Sequence, residues 1–200
     1  MLSKQILEKY NLILASGSPR RQQFFSDLGL KFEVRLKDVK EDYPSRLKHF
    51  EISDYLAQLK ALAFEGELES QDILITSDTI VWHQDKALGK PKNREDAVSM
   101  LESMSGKTHE VITSVCFTTL HSQKTVNAIT QVSFKKLTDE EINHYVDTYQ
   151  PFDKAGAYGI QEWIGHIGIT KIEGSYTNVV GLPTHLVYST LEQLIKNSSS

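Results

Sequence analysis

The chain has 200 residues, 40% of them hydrophobic and 24% charged, with a formal net charge of -4. That length and balance suit one globular domain with a core of useful size. They exclude a globally basic nucleic-acid binder, so any anion site must be local. Cys116 is the only cysteine, which excludes a disulfide framework. No apolar run approaches the roughly 20 residues of a membrane span. The N-terminal "MLSKQILEKYN" has no apolar signal core, and the expectation is a cytoplasmic protein with no membrane partner.

In chain order, the apolar run Leu12-Ile13-Leu14-Ala15 predicts a strand over 12–16. Ser18 as N-cap and Pro19 at the first helical position predict a helix over 18–28, with Phe24, Phe25 and Leu28 inward and Gly29 as its stop. A strand follows over 31–36, a helix over 53–65, a strand over 72–77 and another over 79–83. Asn93, with Asp96 at capping-box spacing, opens a helix over 93–104, and Gly106 lies past its end. "HEVITSVCFTTL" and "KTVNAITQVSFKKL" read as two strands joined at "HSQ", and Cys116 fits the core side of the first. "TDEEINHYVDTY" is a helix with a Thr138–Glu141 capping box, "HIGITKIEG" is strand-like, and "LPTHLVYSTLEQLIKN" closes the chain as a helix. Residues 197–200 are expected to fray. Strands alternating with helices, with a hairpin among them, predict an α/β fold with a mixed sheet. No linker divides residues 1–200, which read as one domain.

Charge raises the first chemical question. A helix N-terminus favours acidic residues, yet Arg20 and Arg21 follow Pro19. Read alone, they are equally well solvated first-turn side chains or the forks of an anion site, with Ser16, Gly17 and Ser18 small enough to let phosphate oxygens reach the backbone. Neither a Walker A loop nor G-x-G-x-x-G is present. In "DILITSDTIVW", Asp78 stands between two apolar runs, where a carboxylate is costly unless paired or bound to metal. It reads as a turn Asp or as a metal ligand or general base at a strand end, and the second is favoured. Lys60 interrupts an apolar helix, where a lysine ordinarily snorkels. Lys90 lies in "ALGKPKN", a turn, and Glu41 in an acidic loop. "PFDKAGAYGIQ" is too glycine-rich for an ordinary helix; it carries Asp153, Lys154 and Gln161, whose amide can read a base edge. The histidines form no zinc pattern, and the hard carboxylates suit Mg²⁺ or Mn²⁺.

Together and in this order, "ASGSPRR", "VKEDYP", "LAQLKA", "SDTIV", "LGKP", "LESMSGKTHEVIT", "PFDKAGAYGIQ" and "IEGSYTNVVGLP" resemble the Maf family of nucleoside triphosphate pyrophosphatases, over residues 12–183. The resemblance implies a mixed twisted sheet with flanking helices, two lobes around a cleft, and a fold similar to that of the inosine-triphosphate pyrophosphatases. It implies metal-dependent hydrolysis between the α- and β-phosphates. "DKAGAYGIQ" and "NVVGLP" look like the branch acting on dTTP and UTP. By the same resemblance, Asp78 is the proton acceptor, and Arg20, Thr79 and Gln161 set substrate choice. Residue chemistry adds the expectation that Lys60, Lys90 and Arg21 are catalytic and that Ser16, Ser18, Arg21 and Lys154 also bind substrate. Glu41 and Asp78 would hold a divalent cation, Mg²⁺ or Mn²⁺. Thr184 after "GLP" and Trp163 beside the base-side segment depart from the family pattern. A homodimer is implied, without a stable nucleic-acid partner. The alternatives are a 7-methyl-GTP pyrophosphatase and a nucleotide-binding regulator of septum formation with little turnover.

Overall fold

Three helix starts fall where side-chain chemistry sets them. In the computed structural model, which describes residues 9–197, the elements run β1 (Asn11–Leu14), α1 (Pro19–Asp27), β2 (Glu33–Val34), α2 (Phe50–Leu62), β3 (Asp72–His83), β4 (Lys86–Leu88), α3 (Arg94–Met104), β5 (Thr108–Thr118), β6 (Gln123–Phe134), α4 (Asp139–Tyr149), a single 3₁₀ turn (Ala155–Ala157), α5 (Trp163–Gly168), β7 (Ile169–Glu173), α6 (Tyr176–Val180) and α7 (Thr184–Asn197). Ser18 Oγ accepts from the Arg21 N–H ahead of Pro19. Asn93 Oδ1 accepts from Asp96 N–H at 2.8 Å. Thr138 and Glu141 form the full reciprocal capping box. Each of these bonds satisfies a backbone donor that the helix itself leaves open.

Among the described residues the strands form a seven-stranded mixed sheet in the order β2-β1-β3-β5-β6-β7, with β4 added to β3. β1 runs parallel to β2 and β3, whereas β4 is antiparallel to β3 and β7 to β6. The fold is mixed α/β.

The chain divides into two compact units. The first takes the residues up to Asp78, Thr113–Ala128, and the chain from Gly181 onward; the second takes Thr79–Ile112 and Ile129–Val180. In the first unit the two faces of the sheet follow from strand alternation. Leu12, Leu14, Ile73 and Ile75 pack with Phe25 of α1 and with Val187, Leu191 and Ile195 of α7. Ile13 and Leu74 point the other way, onto Ala57 and Ala61 of α2, and Cys116 is buried with them, where burial pushes its thiol up. In the second unit one core joins Ala97, Leu101 and Met104 of α3, Ile142, Tyr145 and Val146 of α4, and Val81, Val111, Val132 and Phe134 of the strands.

Four sequence expectations change. The strand expected over 31–36 is two exposed residues, Glu33 and Val34, because the chain leaves the sheet edge at once and Arg35 folds back to pair with Glu33. The helix expected over 53–65 begins earlier, at Phe50. The two strands expected over 72–77 and 79–83 are one, so Ser77-Asp78-Thr79 is mid-strand rather than a break. Residues 166–168 are helical, because α5 continues to Gly168 before β7 begins. Of the segment expected to fray, Asn197 ends α7 and residues 198–200 lie outside the described residues.

Candidate active site

The first unit gathers the charged side chains on two rigid elements. Lys60 sits on α2 and Asp78 in the middle of β3. Lys60 Nζ donates to Asp78 Oδ1 at 2.6 Å and to Ser77 O at 3.5 Å, and pairs with Glu41 Oε1 at 2.9 Å. An ammonium with three donors is thus surrounded by oxygen alone. The lysine that sequence reads as a snorkelling residue turns instead into a nest of two carboxylates and a carbonyl. Burial lifts the Asp78 carboxyl above the ordinary carboxylate range; Lys60 and Arg21 pull it down without cancelling that effect, and Glu41 adds to the rise. A carboxylate whose burial favours its protonated form is a stronger proton acceptor than an exposed one.

Arg21 is fastened rather than extended. Its Nε donates to Gly181 O at 2.9 Å, and its Nη1 to Ser77 O at 3.0 Å and Ser16 Oγ at 3.4 Å. Burial lowers its pKa and Asp78 opposes that shift; the charge of Arg20 acts in the same direction as burial, which places the two arginines within electrostatic reach of each other. Ser16 Oγ also accepts from Ser18 N–H at 3.3 Å, and Gln22 Nε2 donates to Ser16 O at 3.1 Å. The "SGS" turn before α1 is therefore tied down on both sides. Ser16, Ser18, Arg20, Arg21, Glu41, Lys60 and Asp78 all belong to this unit.

The second unit holds Thr79, Lys90, Lys154 and Gln161. The β3–β4 hairpin pairs Val81 with Leu88, so Thr79 and Lys90 leave its open end together. Gly156 N–H donates to Gly89 O at 3.0 Å, which ties the glycine-rich segment to the residue before Lys90. Gly156 has φ of 68°, and a Cβ there would lie 2.8 Å from Val81 Cγ2. Both facts require glycine. Lys154 Nζ pairs with Asp153 Oδ1 at 2.7 Å and Glu162 Oε1 at 3.0 Å. Gln161 is half-buried and Lys90 is exposed. Sequence reasoning missed Glu162 and its partner Tyr145; the one available signal was that Glu162 directly follows Gln161.

The donor chemistry can be tested against a divalent cation. Among the described residues no group of three or more His, Cys, Asp or Glu side chains is placed to hold a metal. Glu41 and Asp78 nevertheless converge on one cationic atom, Lys60 Nζ. Two hard oxygen donors fit an ion such as Mg²⁺ that completes its shell with water and phosphate oxygens. No described helix is long and apolar enough to cross a membrane.

A mixed α/β protein with a charge-balanced lysine–carboxylate cluster in mid-sheet is the class that the fold and the site define. The chain belongs to the Maf-like protein family, whose profile matches residues 11–194. A dTTP/UTP pyrophosphatase from Flavobacterium johnsoniae is 64% identical over 192 residues, covering 96% of this chain and 99% of that protein. One from Flavobacterium psychrophilum is 62% identical over 188 residues, covering 94% and 96%. Among solved structures, a nucleoside-triphosphatase or dITP/XTP pyrophosphatase from Mycobacterium abscessus aligns with a TM-score of 0.47 at 10% identity, over 95% of this chain and 98% of that one. The fold assignment rests on the strand order and the family match, not on that slight likeness.

Proposed function

We propose that this protein hydrolyses dTTP and UTP between the α- and β-phosphates, releasing a nucleoside monophosphate and pyrophosphate. The observation that carries the reading is the Lys60 ammonium held between Asp78 and Glu41 with Arg21 alongside. The names of relatives above 60% identity supply the nucleotide.

In the first unit, Arg20, Arg21 and Lys60 neutralise phosphate charge, and the "SGS" turn offers backbone donors to phosphate oxygens. A water oxygen attacks the α-phosphorus in line with the departing bridging oxygen, the α-phosphorus–oxygen bond breaks, and pyrophosphate leaves with that oxygen. Asp78 takes the proton of the attacking water and returns it to solvent. Glu41 and Asp78 would hold Mg²⁺ or Mn²⁺, which when bound supplies further charge neutralisation at the phosphates. In the second unit, Lys90 contributes positive charge and Lys154 orders the glycine-rich segment. Gln161 and Thr79 read the pyrimidine, whose two carbonyls and one N–H an amide side chain can match.

The test is a panel of dTTP, UTP, CTP, GTP and 7-methyl-GTP with Mg²⁺, scored for pyrophosphate release. Fastest release from dTTP and UTP is the expected result. Preference for 7-methyl-GTP, or tight binding without product, refutes the assignment.

A further inference from the structure

Glu162 closes a network that none of the roles above uses. Its Oε1 pairs with Lys154 Nζ at 3.0 Å, and its Oε2 accepts from the Tyr145 hydroxyl. The same Tyr145 oxygen accepts from Gly159 N–H at 3.0 Å. One carboxylate therefore joins the start of the glycine-rich segment, at Lys154, to its far end, at Gly159, through a fully buried tyrosine on α4. A Cβ at Gly159 would lie 2.8 Å from Glu162 Cδ, 2.9 Å from Glu162 Oε2 and 3.1 Å from Gln161 Nε2. The Glu162 carboxylate and the Gln161 amide thus lie over the same glycine, and glycine is what leaves room for both.

The backbone here is held by scattered turn bonds and core contacts rather than by a helix or strand ladder. Residues 150–162 contain one 3₁₀ turn and no longer helix or strand, with Gln150, Gly156 and Ala157 in the left-handed region. Such a segment keeps one conformation only if surrounding groups over-determine it. Lys154 has a side chain 9% exposed and Glu162 one 20% exposed, so their pairing is shielded from water in a way that surface pairs are not. Asp153, the other partner of Lys154, is 60% exposed and holds it less firmly.

We propose that Glu162 is a positioning residue for base selection, its carboxylate clamping Lys154 and Tyr145 so that Gln161 is presented in a single orientation. The proposal rests on the reading of Gln161 as the base-facing amide. Glu162 acts through its neighbours and touches no reacting atom. Its removal therefore raises KM and blurs choice among bases more than it lowers kcat.

The experiment compares the full chain with Glu162→Ala, Glu162→Gln and Tyr145→Phe, measuring kcat and KM for UTP and CTP and hydrogen exchange at the Gly159 amide. The expected result for Glu162→Ala is a fall of about tenfold in the UTP-to-CTP ratio of kcat/KM, within the range that single specificity contacts command. Glu162→Gln, which can still accept from Tyr145 but cannot pair with an ammonium, loses less. Tyr145→Phe frees the Gly159 amide to exchange faster. A folded Glu162→Ala with an unchanged base ratio overturns the proposal, even if Gly159 exchanges faster, because the clamp is then only structural. Where Glu162→Ala does not fold, Glu162→Gln and Tyr145→Phe decide by the same ratio. If the wild-type chain hydrolyses none of the triphosphates, the functional reading fails by itself; the UTP-to-CTP ratio of Kd then takes the place of the kcat/KM ratio, and a ratio unchanged in Glu162→Ala overturns the clamp.

Discussion

The two charged clusters are built on opposite plans. Lys60 and Asp78 stand on a helix and in mid-strand, elements whose backbone is fixed by their own ladders. Lys154 and Glu162 stand on an irregular segment that side chains must hold. Groups that carry out chemistry need tight placement and gain from regular elements. Groups that choose among ligands are commonly placed on loops, where sequence can change without disturbing the core. The contrast predicts that substitutions in the first cluster act on kcat and those in the second on selectivity.

Asp78→Asn offers the largest break. The variant keeps the shape and loses the proton acceptor, so turnover falls about a thousandfold, within the usual range for general-base loss. Calorimetric titration with a slowly hydrolysed triphosphate analogue should show binding retained; near-normal turnover would remove Asp78 from the chemistry. Arg20→Ala is expected to lower kcat/KM by about thirtyfold, of the order of a charge-assisted contact. Steady-state kinetics that match the wild type would return Arg20 to the role of a solvated first-turn side chain. Gln161→Ala belongs to the other plan: the preference for UTP over CTP falls about tenfold with kcat nearly kept. Equal losses on every nucleotide would place Gln161 outside base reading.

Acid–base behaviour sharpens the comparison further. Asp78 must be ionised to accept a proton, and burial lifts its pKa, so activity falls on the acid side at a pH above the ordinary carboxylate range. Lys60 holds that value down. Lys60→Met therefore moves the acid limb of the pH–rate profile to higher pH, and a limb that stays put or moves lower would contradict the geometry. The smallest effect is one of stability in the second unit. His109 is buried, its Nε2 lies 2.7 Å from the Tyr158 hydroxyl, and burial, with His83 nearby, pushes its pKa down to about 3. The unfolded chain takes up this proton near pH 6.5 and the folded chain does not. Its contribution is therefore complete above pH 6.5 and is lost as pH falls toward 3. Urea unfolding at pH 7 and pH 5 should differ by about 2 kcal/mol from this group, and His109→Gln should flatten that part of the dependence.

Local chemistry was legible in the sequence because caps act over three or four residues. Ser18, Asn93 and Thr138 open α1, α3 and α4 as their spacing requires. The continuity of β3 was not legible. Ser77-Asp78-Thr79 looks like a break because its partners are distant in sequence: Arg21 and Lys60 bond the Ser77 carbonyl, and Lys60 the Asp78 carboxylate. Mid-strand polarity that local patterning rejects is what a functional site produces. Most candidate site residues stand out by their own chemistry, but singly each also reads as an ordinary turn, loop or solvated side chain, since nothing in "VKEDYP" by itself points Glu41 at Lys60. Glu162 escaped even that reading. Its meaning depends on a tyrosine seventeen residues earlier, on the buried side of another helix.

One consequence of the Lys60 nest concerns how the sequence can drift. Two carboxylates, Glu41 and Asp78, and two cations, Lys60 and Arg21, stand close enough to offset one another's charge. Charge pairing within the fold and contact with substrate then draw on the same side chains. Lys60 thereby answers to two selections, one for a chain that folds and one for a chain that works. A substitution there is expected to cost both stability and turnover, whereas one at Gln161 bears mainly on the second selection. Lineages that change their nucleotide would keep the first cluster and rewrite the loop.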